Sequence, residues 1–128
     1  MRSKTLTIFI DSKPGKVYSF VANLKNMPKW AKTFCRSIKK VNNDWVIETV
    51  QGPIKMRIAP VNDFRVLDHY VTVPGAELFI PMRVVPNGTG SEVIFTIFQQ
   101  PGMKDKQFAN DIGLVKKDLA TLKKVLDG

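Results

Sequence analysis

Apolar and polar positions along this chain follow two periods, and the change from one to the other divides it into elements. Between Met103 and Leu126, Phe108, Ile112, Val115, Leu119, Leu122 and Leu126 recur at steps of four, three, four, three and four, which sets them on one stripe of a helix. Lys104, Lys106, Lys116, Lys117, Lys123 and Lys124 fall mostly off that stripe, so the opposite face is wet. Pro101-Gly102 breaks the segment before the helix, Gly128 lies just past its end, and Lys123 and Lys124 suit the negative end of its dipole. With a rise of about 1.5 Å per residue the helix runs roughly 36 Å and needs a broad apolar partner surface.

Upstream, Lys4 to Ile10 alternates as a strand does. Asp11-Ser12 before Lys13-Pro14-Gly15 signals a helix entry with either residue as cap, and Val17, Phe20, Val21 and Leu24 follow at helical spacing. Asn26-Met27-Pro28 restarts the chain into a second short helical piece that carries Trp30. From Thr33 to Gln100 the period is two, with turn signals at Asn42-Asn43, Gly52-Pro53, Asn62-Asp63, Pro74-Gly75 and Asn87-Gly88. These delimit six strands whose short connections leave no room for crossover helices, so they run antiparallel.

Register follows from folding each hairpin about its turn. About Gly52-Pro53, Val50 meets Lys55, Glu48 meets Arg57 and Ile47 meets Ile58, with Trp45, Ile47, Thr49, Met56 and Ile58 on the apolar face. About Asn87-Gly88, Arg83 meets Glu92, and Leu78, Ile80, Met82, Val93, Phe95 and Ile97 share a face. About Pro74-Gly75, Val71 opposes Leu78 and His69 opposes Ile80, which projects His69 from the apolar face beside Leu67 and Val71. The expected fold is α+β: a seven-stranded curved antiparallel sheet, with two short helices after its first strand, wrapped around a long C-terminal helix, residues 1–128 forming a single domain.

Composition narrows the chemistry. A chain of 128 residues with 44% apolar and 24% charged residues can build a core without staples. Cys35 stands alone, which excludes an internal disulfide framework and a multi-cysteine metal site, and His69, the one histidine, argues against a multi-histidine zinc centre. Cys35 lacks a nearby His or acid in sequence to activate it. Asp111 and Asp118 lie on one side of the long helix but form a weak metal site by themselves. Gly88-Thr89-Gly90 belongs to a hairpin turn and not to a phosphate-binding loop, and no nucleophile-elbow pattern occurs. No metal and no cofactor is expected. No apolar run approaches the roughly 18 residues of a membrane span, and MRSKTLTIFID lacks a long apolar signal core, so the expected location is cytoplasmic.

The net charge of +9 is segregated: Met1 to Lys40 holds ten Lys or Arg against Asp11 alone, and ten minus one already gives the whole excess. Such a patch is either a solvated face or the footprint of an anionic partner, which would be a ligand head group, a membrane surface or a nucleic acid. Nucleic acid is disfavoured, because only Tyr18, Trp30 and Phe34 supply aromatics nearby. Trp30, between Lys29 and Lys32, reads as packing of the helix pair, and Arg83 with Glu92, like Glu48 with Arg57, as a surface ion pair.

The order of elements resembles the helix-grip, birch-pollen-allergen-like fold of the START-like superfamily, also called SRPBCC, and within it the polyketide cyclase/dehydrase and lipid-transport group. The likeness is carried by Val17-Tyr18-Ser19-Phe20-Val21 with Asn26-Met27-Pro28-Lys29-Trp30, and by Leu67-Asp68-His69-Tyr70 through Pro81-Met82-Arg83-Val84 to Gly90-Ser91-Glu92-Val93 and Phe95-Thr96. Gln100-Pro101-Gly102-Met103 and Asp118-Leu119 with Leu122-Lys123 complete it. The resemblance implies an apolar cavity between sheet and helix for a small lipid-like or aromatic ligand, lined by Trp45, Ile47, Met56, Ile58, Leu67, His69, Ile80, Met82, Phe95, Phe108, Ile112 and Val115. The opposing expectation is a pocket filled by Phe79, Phe95, Phe98, Phe108, Trp45, Met56 and Met82. The superfamily equally implies a cyclase or dehydratase, with His69 or Tyr70 moving a proton, and an interaction module using the basic third is the remaining class.

Overall fold

The computed structural model describes all 128 residues. Strand β1 (Ser3–Ile10) leads into helix α1 (Pro14–Ala22), a 3₁₀ turn over Leu24–Asn26 and the one-turn helix α2 (Met27–Trp30). Seven further strands follow: β2 (Ser37–Val41), β3 (Asp44–Thr49), β4 (Gly52–Ile58), β5 (His69–Val73), β6 (Ala76–Ile80), β7 (Met82–Asn87) and β8 (Gly90–Phe98). Helix α3 (Asp105–Leu126) closes the chain. All pairings are antiparallel.

The strands form two sheets, ordered β1-β8-β7 and β2-β3-β4-β5-β6, so there are eight strands in two sheets where one seven-stranded sheet was expected. Pro81 is the reason. It lies between β6 and β7, has no N–H to give to a ladder, and bends the chain there. The pairing partner does not change across the bend: β6 pairs with β5, and beyond Pro81 the bridge Val66–Arg83 and the bond from Leu67 N to Met82 O (2.8 Å) carry on in the same direction. This short ladder ties the two sheets together.

The hairpins correct two expectations and uphold a third. The second hairpin turns at Val50-Gln51, not Gly52-Pro53, with Thr49 opposite Gly52 and Trp45 opposite Met56. Gly52 takes a φ of 105°, and Thr49 Oγ1 accepts from Gln51 N and donates to Gly52 O, which fixes the turn earlier than the proline suggests. The last hairpin turns one residue late, with Asn87 opposite Gly90 and Val85, not Arg83, opposite Glu92. Moving a turn centre by one residue slips pairing by two, so the apolar faces survive while the expected ion pairs do not. Arg57 pairs with Glu77 (3.1 Å) and Arg83 with Asp68 (3.0 Å). The Pro74-Gly75 turn forms as read, with Gly75 at φ 79°, Val71 opposite Leu78 and His69 opposite Ile80.

Helix α1 starts without a side-chain cap. Asp11 and Ser12 serve elsewhere: Ser12 O accepts from the buried Ser91 Oγ (2.6 Å), and Asp11 N donates to Asp127 Oδ1 (2.9 Å) while Asp11 O accepts from Gly128 N (3.0 Å). The end of α3 is thereby pinned to the end of β1. Its apolar stripe buries Leu119, Leu122 and Leu126 in one continuous core with Leu6, Ile10, Val17, Leu24, Met27 and Trp30, so Trp30 is a packing residue.

Candidate functional site

The register defines an inner sheet face. Trp45 and Ile47 on β3, Met56 and Ile58 on β4, His69 and Val71 on β5, and Leu78 and Ile80 on β6 lie on it, continued by Met82, Val84, Val93, Phe95 and Leu6. Phe79 and Phe98 stand on the opposite parity and face outward, so they cannot fill the space between sheet and helix. Of the expected lining, Ile47, Met56, Leu67, His69, Met82, Phe95 and Phe108 are buried, whereas Trp45, Ile58, Ile80, Ile112 and Val115 are only half-buried. Alternation extends the wall to Ile54 and Val73, which a longer reading of the same period finds. Phe108 stands apart from the main core, under the Arg2 guanidinium at 5.0 Å.

The pattern of burial along α3 is uneven. The helix runs beside β1 and α2: Arg2 meets Asp105 and Phe108 at its start, Thr33 meets Leu114 and Asp118 in its middle, and Phe9 and Asp11 meet Lys123, Asp127 and Gly128 at its end. In its middle Ile112 and Val115 pack against the core but stay half-buried, as do Trp45, Ile58 and Ile80 on the inner sheet face. Two concavities lie elsewhere: about 320 Å³ over Arg57, Ile58, Ala59, Pro60, Asp68, Tyr70 and Phe79, and about 270 Å³ over Pro81, Arg83, Ile94 and Thr96, both mainly on the outer face. Neither concavity is lined by α3, and beneath the helix the expected lining residues are buried or half-buried against the core.

His69 is the polar feature of that wall. It is 8% exposed, its ring meets Phe95 edge-on with centroids 5.9 Å apart, and Nδ1 lies 3.0 Å from Leu67 O. A carbonyl only accepts, so Nδ1 carries the proton and a neutral ring leaves Nε2 with a bare lone pair. Burial pushes the imidazole pKa below its usual range, against smaller opposing effects of the Leu67 carbonyl and Asp68. Tyr70, next along the strand, faces outward between the Arg57 guanidinium (3.9 Å) and Phe79 (5.0 Å). The two proposed proton carriers thus lie on opposite sides of one sheet. Lys40, opposite Trp45 in the β2–β3 pair, holds its ammonium 5.7 Å from the indole.

The remaining candidates are structural. Cys35 is buried, its Sγ donates to Ser37 O (3.4 Å), and burial with the nearby Asp118 raises its pKa to about 11, so it stays a thiol. Asp118 accepts from Thr33 N (3.0 Å) and Thr33 Oγ1 (2.7 Å), which fastens the segment after α2 to α3 and commits the carboxylate. No helix is long and apolar enough to cross a membrane.

No family model matches this sequence, and no curated protein matches it. Solved structures do. XoxI from Bacillus cereus superposes with a TM-score of 0.78 at 17% identity, over 98% of this chain and 96% of that one. The di-domain ARO/CYC BexL from the BE-7585A biosynthetic pathway gives 0.79 at 19% identity, over 97% of this chain and 46% of BexL, so the chain spans about half of that protein. Ara h 8.0201 gives 0.71 at 11% identity, over 98% of this chain and 97% of that one. The fold is accordingly the helix-grip fold expected from the sequence, and at these identities the likeness carries the fold alone.

Proposed function

We propose that this protein binds a small apolar molecule, lipid-like or aromatic, in the cleft between the inner sheet face and the middle of α3. One observation carries the reading: Ile112 and Val115 on the helix stripe and Trp45, Ile58 and Ile80 on the inner sheet face all pack against the core yet stay half-buried, while the same helix stripe is sealed further on. Apolar area left open in a concave place is what a ligand covers. Lys40 at the rim suits a ligand with an anionic end in solvent. Carriage is favoured over cyclase-type catalysis because His69 hydrogen-bonds only to a backbone carbonyl and Tyr70 is on the other face, so no second proton-handling side chain joins it. Titration with long-chain fatty acids and with naphthalene derivatives, followed by Trp fluorescence, tests the proposal: saturable one-to-one binding is expected, and the absence of saturation with every probe contradicts it.

A second reading, docking to an anionic membrane surface, rests on a different observation. Val61 and Phe64 are 87% and 82% exposed on the β4–β5 loop. That loop is not slack: Asn62 Nδ2 donates to Pro60 O and Val66 O, Asn62 Oδ1 accepts from Phe64 N and Val66 N, and Asn62 N donates to Tyr18 Oη on α1. None of the cations from Lys13 to Lys40 takes part in an ion pair. Exposed apolar side chains on a braced loop beside unpaired cations suit an anionic bilayer. Co-sedimentation with vesicles containing phosphatidylserine should be salt-sensitive and weakened by Phe64→Glu; equal binding to neutral vesicles sinks this reading.

A further inference from the structure

The ligand's chemistry can be read from His69, the buried polar side chain of the inner sheet face. His69 makes a single side-chain hydrogen bond, through Nδ1, and every buried side-chain nitrogen or oxygen sealed from solvent has a partner. Nε2 has none and so is not wholly sealed, although the residue is only 8% exposed, and the inward parity of β5 turns the ring to the inner sheet face. Around it are Ile58 and Ile80, directly opposite on the neighbouring strands, and Phe95. The imidazole cannot swing away without giving up the Leu67 carbonyl, and with Nδ1 committed there a neutral ring presents a fixed acceptor.

An acceptor in apolar surroundings distinguishes ligands sharply. A hydroxyl completes it, whereas an ether of the same shape buries two lone pairs against each other and leaves Nε2 unpaired. A carboxylate is worse, since its charge would lose water and gain no donor. We propose that the apolar molecule bound here carries a hydroxyl, phenolic or alcoholic, which donates to His69 Nε2, and that a carboxylate is rejected at this position. The proposal rests on the ligand-binding reading above and narrows it: any anionic end belongs at the rim by Lys40, with the hydroxyl inside.

The test uses three probes of one size, 2-naphthol, 2-methoxynaphthalene and 2-naphthoate, titrated into the intact protein and into His69→Phe. Intrinsic hydrophobicity cancels when the naphthol-to-ether affinity ratio is compared between the two proteins. That ratio should be roughly three- to tenfold larger in the wild type, the worth of one neutral buried hydrogen bond, and naphthoate should gain no affinity from His69 over Phe at that position. In parallel, the ¹⁵N signal of His69 Nε2 should move on adding naphthol and not on adding the ether, with Nδ1 remaining the protonated nitrogen; this reading does not depend on the variant folding. An unchanged ratio, a still Nε2 signal, or naphthoate held tighter by the wild type than by His69→Phe overturns the proposal while leaving apolar binding in place. If none of the three probes binds, the ligand-binding reading itself fails.

Discussion

At the scale of single residues, neighbouring side chains have been given opposite tasks by strand parity. His69 faces the cleft and Tyr70 the solvent, and this was legible because Pro74-Gly75 admits one turn geometry and so one register. The contact between Asp118 and Thr33 was not legible, since 85 residues separate the partners and neither stands in a motif. Thr33→Val removes the Oγ1 donor from a buried carboxylate and should cost about 1–2 kcal/mol in chemical denaturation. Asp118 also supplies a pH dependence. Burial raises its pKa, and the two Thr33 hydrogen bonds offset part of that rise. Because the folded value lies above the unfolded one, the folded state holds a proton that the unfolded chain has already lost. This group's contribution is therefore greatest below the ordinary carboxylate range and declines as pH rises to the raised value. Denaturation across that interval should show the decline in the wild type and a flatter course in Asp118→Asn.

At the scale of elements, the two periods in the sequence located the helices and strands except for the break at Pro81, and the register errors fell at turns. Thr49 and Gly52 close their hairpin around Val50-Gln51, and no apolar pattern distinguishes that from a turn at Gly52-Pro53, because both leave the same residues on the same face. The ion pairs, which do depend on absolute register, were accordingly misassigned. Helix α3 divides into two functional lengths. Leu122, fully buried, anchors it, and Leu122→Ala should destabilise the fold by about 2–5 kcal/mol. Ile112 is half-buried over the cleft, so Ile112→Ala should cost about 1 kcal/mol or less and instead weaken ligand affinity. Comparable losses of stability for the two variants would contradict this division. Gly90 is a further element-level constraint: a Cβ there would lie 2.7 Å from Ile10 O and 2.6 Å from Phe9 Cζ, so Gly90→Ala should cost about 1–3 kcal/mol by forcing β1 off β8.

At the scale of the whole molecule, the helix-grip architecture follows from a curled antiparallel surface that must bury one face and a helix that can cover only part of it. Pro81 turns the surface into two sheets, a break that could be read from the sequence only by asking which strand must continue through a residue without an N–H. How much space lies beneath α3 was not legible at all, because the volume between two elements depends on where α3 is held. That is decided by distant contacts: Asp127 and Gly128 with Asp11 at one end, and Asp118 with Thr33 further along. The proposed binding site is the space between the inner sheet face and the middle of α3. The measurement that tests it most directly is a titration of the isotopically labelled protein with 2-naphthol, followed by backbone and methyl NMR. Saturable shifts gathered on Trp45, Ile58, His69, Ile80, Ile112 and Val115 are expected. Shifts confined to the outer face around Tyr70, Phe79 and Arg83, or no saturable shift anywhere, would contradict it.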